Sequence, residues 1–116
     1  MNMSAPAVTN VLLRCTRTER PSLPFFEKAR KDLAIWVWEL GPKIKGHDWE
    51  ECCLSIHHQI EPHLAALRSL SEQSEDYTLF IAVDAHGVAP MILIPPSLSA
   101  LAAEAGYGIQ ISFEES

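Results

Sequence analysis

The sequence predicts an α+β fold in which a mainly antiparallel sheet of about five strands carries two helices on one face. Two observations lead to this prediction. Short segments that alternate between apolar and polar side chains, as β-strands do, lie on both sides of one long stretch with helical periodicity. A second, shorter helical stretch precedes the last strand-like segment. The resulting order, β-β-α-β-β-α-β, contains the split pattern of a ferredoxin-like core.

The first two strands are predicted at residues 8–15 and 33–40. Residues 8–15 place apolar side chains on one face, and the first strand is expected to extend the sheet at an edge. Residues 33–40 are apolar on both faces, which predicts a strand that is covered on both sides. Residues 25–32 between them are predicted to form a short helix. Residues 1–7 are expected to be a flexible tail before a single domain of residues 8–116.

The long helical stretch covers residues 48–73 and is the central element of the prediction. Asp48 is a suitable N-cap, and Glu51 three residues later completes an approximate capping box. Pro62 must kink the helix or divide it into two, because proline removes a backbone hydrogen bond and clashes with the preceding turn. The side chains that recur at helical spacing and are expected to face the core are Trp49, Cys53, Ile56, Ile60, Leu64 and Leu67.

The remainder of the chain predicts two strands, a short helix and a final strand. The strands cover residues 77–84 and 88–94, the helix residues 97–105, and the final strand residues 107–113. Gly106 fits the position after the helix, where a left-handed backbone conformation is common. These elements complete the predicted sheet and its second helix.

The charge is distributed unevenly along the chain. Residues 1–45 carry a net charge of +4 and residues 46–116 a net charge of −10, for a total of −6. The acidic part cannot form the basic surface that binds nucleic acid. An acidic surface suits a basic protein partner, because complementary charge steers association. The alternative is that the acidity only keeps a small protein in solution.

The cysteines and the N-terminal sequence indicate a cytoplasmic protein. The number of cysteines is odd, and Cys52 and Cys53 are adjacent, which favours free thiols in a reducing compartment over disulfides. The sequence MNMSAPAVTN lacks the pattern of a signal peptide, and no apolar run is long enough to span a membrane.

Two groups of side chains could carry chemistry. Cys53, His57 and Glu61 lie four residues apart along the predicted helix and could line up as metal ligands or as a thiol with a base. Because Cys53 also belongs to the apolar stripe, the favoured interpretation is a core cysteine beside a solvated histidine and glutamate. Asp84 and His86 flank a predicted turn, where both are ordinary residues. We therefore expect no catalytic residues, no metal site and no cofactor.

Partner binding is the function that the residues favour. Tryptophan is enriched at the energetic centres of interfaces, so Trp36 or Trp38 is expected to be exposed as an anchor. Acidic residues at the two ends of the central segment are expected to supply steering and charge-paired contacts. These acidic residues are Asp48, Glu50, Glu51, Glu72, Glu75 and Asp76.

From about Leu33 onward, the chain resembles a bacterial domain-of-unknown-function family whose members often look like immunity or accessory proteins near toxin genes. The resemblance is carried by a helix reading WEECCLSIHHQIEPHLAALRSLSE after a tryptophan-bearing strand, by the segment YTLFIAVDAHGVAPMILIPP, and by LSALAAEAG before a final GIQISF strand. The family brings no catalytic residues that could be transferred to this chain. It implies a small cytoplasmic immunity protein that binds and neutralises a cognate toxin.

The expected function is therefore a non-enzymatic, immunity-type inhibitor of a toxin, plausibly a basic nuclease domain. The alternative is a small ligand-binding or regulatory module that uses the open face of the sheet, which rests on fold analogy. An exposed strand edge, of the first or the fourth strand, could also support a homodimer.

Overall fold

A computed structural model describes residues 7–29, 34–41, 49–72, 74, 76–84 and 93–114. Within these residues the chain forms the predicted α+β fold, with a five-stranded, mostly antiparallel sheet. The elements are β1 (Ala7–Thr16), β2 (Glu27–Lys28), β3 (Ile35–Gly41), α1 (Trp49–Ile60), a 3-10 turn (Glu61–His63), α2 (Leu64–Ser71), β4 (Asp76–Asp84), α3 (Pro96–Ala105) and β5 (Gly108–Glu114).

The strands lie in the order β2-β3-β1-β4-β5. The pairs β2–β3, β3–β1 and β1–β4 are antiparallel, whereas β4 and β5 are parallel. A parallel pair needs a crossover connection, and α3 lies in the chain between these two strands. One row of side chains crosses four strands, because Leu13 lies opposite both Trp38 and Leu79, and Leu79 lies opposite Ile109.

The first strand is at the centre of the sheet, so the prediction that it extends an edge is wrong. β1 pairs with β3 on one side and with β4 on the other. Val11, Leu13 and Cys15 are buried on one face, and Leu12 is half-buried on the other. In this position both edges of β1 are hydrogen-bonded to neighbouring strands, so β1 leaves no strand edge unpaired. The order of the strands consequently differs from that of the predicted ferredoxin-like core.

The helices cover one face of the sheet and share a single hydrophobic core with it. The buried residues of the strands alternate, as Tyr77, Leu79, Ile81 and Val83 do in β4, and pack in one cluster with the buried residues of α1, α2 and α3. The predicted stripe of the central helix is confirmed, with Cys53, Ile56, Ile60 and Leu67 buried and Trp49 and Leu64 packed against the core. On the other face, Leu12, Val37 and Phe80 are half-buried, whereas Glu39, Gln110 and Ser112 are exposed.

Pro62 divides the central helix as expected. It lies in the 3-10 turn between α1 and α2, at the beginning of that turn, where the missing N–H of proline removes no helical hydrogen bond. Among the described residues, no helix is long and apolar enough to cross a membrane.

Two other predictions concern single segments. The predicted helix at residues 25–32 is wrong over its described part, because Glu27 and Lys28 form the short strand β2 against Val37 and Trp36. Most of the predicted strand at residues 88–94 lies outside the described residues, as does the tail at residues 1–6. Leu93 and Ile94, the two described residues of that predicted strand, are not in a strand.

The short helix near the C-terminus is confirmed. Leu98, Leu101, Ala102 and Ala105 are all buried in α3. Gly106 follows it with φ of 85°, and its N–H donates to the carbonyl oxygen of Ala102. The left-handed conformation at Gly106 lets the chain turn directly into β5.

Candidate functional site

A groove of about 870 Å³ lies between the first turns of α1 and the chain that enters α3. The groove is positioned by the core, since the buried side of α1 packs against α3 and the sheet while its neighbouring side remains accessible. The residues that line it are Trp49, Glu50, Cys53, Leu54 and His57 from α1, and Leu93, Ile94, Pro95, Pro96 and Ser97 from the other wall.

Exposed apolar side chains are concentrated at this groove. Leu54 is 59% exposed and Leu93 84% exposed, and Ile94 is also exposed. Among the described residues, the remaining large exposed apolar side chain is Phe113, which belongs to β5. Single exposed apolar residues are normal on protein surfaces, but several around one concavity are typical of a binding site. The groove can therefore bury apolar surface of a partner.

Trp49 joins the two walls of the groove. Its indole N–H donates a hydrogen bond to the backbone carbonyl oxygen of Leu93 at 2.7 Å. The ring is half-buried and packs against the core. Because the acceptor is a backbone atom, the bond holds the chain before α3 close to the beginning of α1 and leaves the side chain of Leu93 in solvent.

Acidic side chains lie where α1 begins. Glu50 and Glu51 are exposed in its first turn, a position where negative charge is stabilised by the helix dipole. Glu50 also lines the groove. Glu51 has a further interaction, and Asp48 lies outside the described residues, so the predicted capping box remains a prediction. The charged lining of the groove is thus acidic, apart from the titratable His57.

The acidic residues at the other end of the central segment lie elsewhere. Glu72 is exposed directly after α2, and Glu75 lies outside the described residues. Asp76 is the first residue of β4, where it forms an ion pair with Arg14 and accepts a hydrogen bond from the hydroxyl of Thr78 at 3.0 Å. Glu72 and Asp76 are not among the residues that line the groove.

The prediction that Trp36 or Trp38 is exposed as an anchor is wrong. Trp36 is 6% exposed and Trp38 8% exposed, because β3 turns both side chains toward the helix-covered face of the sheet. The indole N–H of Trp36 donates to the carbonyl oxygen of Arg17, and the ring of Trp38 packs on Phe25 with centroids 4.2 Å apart. Both rings are core residues, and Trp49 is the tryptophan at the candidate site.

Cys53 and His57 lie in α1, and Glu61 is the first residue of the 3-10 turn that follows it. His57 Nε2 contacts the Glu61 carboxylate, while Cys53 is buried at the groove wall. Burial, and to a lesser extent the charge of Glu50, raises the pKa of the Cys53 thiol to about 11. A thiol with that pKa is protonated at neutral pH and is a poor nucleophile and metal ligand. Within the described ranges, no group of three or more His, Cys, Asp or Glu side chains could hold a metal ion.

The remaining candidates add little to the site. Asp84 ends β4 and has an interaction of its own, and His86 lies outside the described residues. Sequence periodicity missed Leu54 and Leu93, the two most exposed residues of the groove. Leu54 lies next to the apolar stripe of α1 without belonging to it. Leu93 falls within the strand that the sequence predicts at residues 88–94. The pair of prolines after Ile94 was the available signal, because proline is favoured in the first turn of a helix.

Comparison of the chain with protein-family models, with curated proteins and with solved structures found no match.

Proposed function

We propose that the protein is a non-enzymatic, immunity-type inhibitor that binds a basic toxin domain and blocks its active cleft. The observation that carries this proposal is the groove beside α1, where exposed Leu54, Leu93 and Ile94 lie next to the acidic Glu50. Apolar surface and negative charge together suit a partner that presents an apolar side chain surrounded by lysine or arginine.

The two features of the groove have different roles in this mechanism. The acids at the beginning of α1 accelerate encounter with a basic partner, an effect that salt screens. Apolar contact then slows dissociation, since burying a leucine side chain contributes about 1.5–3 kcal/mol. The bond between Trp49 and Leu93 holds the walls in place before binding, which limits the entropy lost in the complex.

The chemistry of the site favours binding over catalysis. Nucleophilic catalysis by Cys53 requires a thiolate, whereas burial keeps its pKa near 11. The other thiols are also buried, and burial raises the pKa of Cys15 to about 11 and that of Cys52 to about 12. His57 contacts Glu61 four residues later in the chain, a spacing at which side chains commonly meet on a helical surface.

The proposal is tested with the product of the adjacent gene. That product is expressed alone and together with this protein, and growth and co-purification are measured. Toxicity that this protein relieves, together with a stable complex, supports the proposal. A neighbouring product that is harmless when expressed alone, or that does not bind, contradicts it.

Variants locate the binding surface. The charge reversal Glu50→Lys should lower the association rate by about tenfold at low salt, and less at high salt. Glu104→Lys is the matched control, because Glu104 is an exposed residue in the last turn of α3, far along that helix from the groove. Equal effects of the two variants would show that net charge, not the groove, controls binding.

A second function is favoured by one specific observation. A concavity of about 670 Å³ lies at the sheet edge, with Leu12 and Val37 from the open face and Phe25 beside them. Its volume is in the range of small-molecule sites. We propose as the alternative a ligand-binding or regulatory module at this position. The substitution Val37→Glu would abolish ligand binding there and leave binding of a toxin to the groove unchanged.

A further inference from the structure

Among the described residues, no strand pairs with the outer edge of β5. β5 is the last strand in the sheet order, and within the described part of the chain it pairs only with β4. Such an edge presents a row of backbone donors and acceptors to other chains. Natural edge strands are usually blocked by proline, by lysine or by a bulge, but β5, with the sequence GIQISFE, has no proline or lysine.

The opposite edge of the sheet is protected in a different way. The outer edge of β3 is paired with the short strand β2 at Trp36 and Val37. Further along β3, the side chain of Gln59 from α1 donates a hydrogen bond to the carbonyl oxygen of Leu40 at 2.8 Å. The ring of Phe25 packs on Trp38 beside the same strand. The contrast indicates that β5 is the edge available for pairing.

We propose that β5 pairs in antiparallel fashion with β5 of a second copy of this chain, about a twofold axis at Ile111. This inference is independent of the proposed toxin binding, because it uses a different surface. In this register Ile111 lies opposite Ile111 of the second copy, and Ile109 lies opposite Phe113. On the other face Gln110 lies opposite Ser112. The two sheets then form one continuous sheet, with the helices of both copies on the same side.

The register is self-complementary in apolar surface. Ile109 and Ile111 are half-buried, and Phe113 is 50% exposed in the single chain. Pairing places these three side chains against their counterparts on the helix-covered face. Directly opposed apolar side chains in antiparallel strands stabilise the pair. A second copy therefore covers the exposed ring of Phe113 with Ile109.

The register is also compatible with the charge of the protein. Each copy carries a net charge of −6, so two copies repel each other, and the repulsion is smallest where the contacting surfaces carry no charge. Residues 108–113 of β5 are all uncharged. Glu114 lies opposite Gly108, which places the two Glu114 residues at opposite ends of the paired strands. A basic partner has no comparable complement along this strip, and we therefore assign a second copy to this edge.

The contact is small, which determines the experiment. A pair of edge strands buries less surface than a stable complex, which needs about 1,200 Å². We therefore expect a weak dimer, with a dissociation constant of about 1 µM or higher. Sedimentation velocity of the full chain, from about 1 µM to about 1 mM, should show concentration-dependent dimerisation. Higher salt should strengthen the dimer because it screens the repulsion, whereas salt weakens binding of a basic toxin. A chain that is monomeric at every concentration overturns the proposal.

Charge pairs test the register. The double variant Gln110→Lys with Ser112→Lys places lysine opposite lysine at both pairs, and we expect its dimer to dissociate at least about tenfold more readily. The double variant with glutamate at both positions should behave alike, and an equimolar mixture of the two should dimerise again. Thr18→Lys with Ser22→Lys is the control, since it makes the same charge change at exposed positions outside the sheet. Unaltered dimerisation of the lysine variant at β5 rules out this interface.

Cross-linking gives an independent measurement. Ile111→Cys should form a disulfide-linked dimer on mild oxidation, because opposed residues on the axis have nearby Cβ atoms. The Gln110→Cys variant alone should not form a disulfide-linked dimer. A mixture of the Gln110→Cys and Ser112→Cys variants should form one, because these positions lie opposite each other. The native cysteines do not interfere, since Cys15, Cys52 and Cys53 are buried. Equal cross-linking by the separate Ile111→Cys and Gln110→Cys variants contradicts the register.

Discussion

The indole N–H of Trp49 lies 2.7 Å from the carbonyl oxygen of Leu93, and this hydrogen bond connects the first residue of α1 to the chain that enters α3. The two residues are 44 positions apart in sequence, and the bond connects the two walls of the candidate groove. It also explains why an exposed leucine has a fixed backbone position: its carbonyl is held while its side chain is 84% exposed.

Replacing Trp49 with phenylalanine should destabilise the protein by about 1 kcal/mol, because the carbonyl of Leu93 loses its donor while the aromatic packing is largely kept. Urea unfolding measures this difference. Leu93→Ala is the matched control, since it keeps the backbone acceptor and removes a side chain that lies in solvent. If Leu93→Ala costs as much as Trp49→Phe, the hydrogen bond is not the cause.

Gly106→Ala should destabilise the protein by more than about 1 kcal/mol. The residue has φ of 85°, and an added Cβ would lie 2.5 Å from the Ser71 hydroxyl oxygen. Gly108→Ala is the comparison, because an added Cβ there meets no atom within 4 Å and β5 has extended backbone. Thermal unfolding of both variants measures the difference. Equal losses of stability would contradict the left-handed conformation at the end of α3.

Alkaline pH should destabilise the protein through its buried thiols. Burial raises the pKa of Cys52 from 9.0 to about 12 and that of Cys15 and Cys53 to about 11. Above about pH 9, the thiols of the unfolded chain lose protons that those of the folded chain retain, so the unfolded state is favoured. The stabilisation is complete below pH 9 and is lost as the pH rises toward 11–12.

Urea midpoints measured between about pH 8 and pH 10.5 test this pH dependence, since the range spans the ionisation of unfolded thiols. Cys52→Ala should lower stability at every pH and flatten the decrease above pH 9. An unchanged slope in Cys52→Ala would show that other groups, for example Tyr77 and Tyr107 with their raised pKa values, cause the decrease.

Leu13→Ala should cost about 2–5 kcal/mol of stability, as expected for a fully buried leucine whose removal leaves a cavity. Leu12→Ala should cost less, because Leu12 lies on the open face and is half-buried. Chemical denaturation measures both. Similar costs would contradict the position of β1 at the centre of the sheet with only one face covered by the helices.

The local sequence pattern predicted most of the described elements, but it predicted a helix where the short strand β2 forms. The alternation of Tyr77, Leu79, Ile81 and Val83 predicted a strand with one buried face, and that face is buried. The segment after Pro24 was wrong because FFEKARKD has helix-forming residues, whereas pairing of Glu27 and Lys28 with β3 decides its described structure. Tertiary contacts override local propensity in short segments.

The sequence by itself determined the buried face of several elements, since period and polarity act within each element. It determined the stripe of α1, the break at Pro62 and the left-handed Gly106. Only the tertiary structure decided which strands are neighbours, because alternation specifies the faces of a strand and not its partners. That order placed β1 at the centre and turned Trp36 and Trp38 into the core. Among the described residues, it left the groove beside Trp49 and the outer edge of β5 accessible.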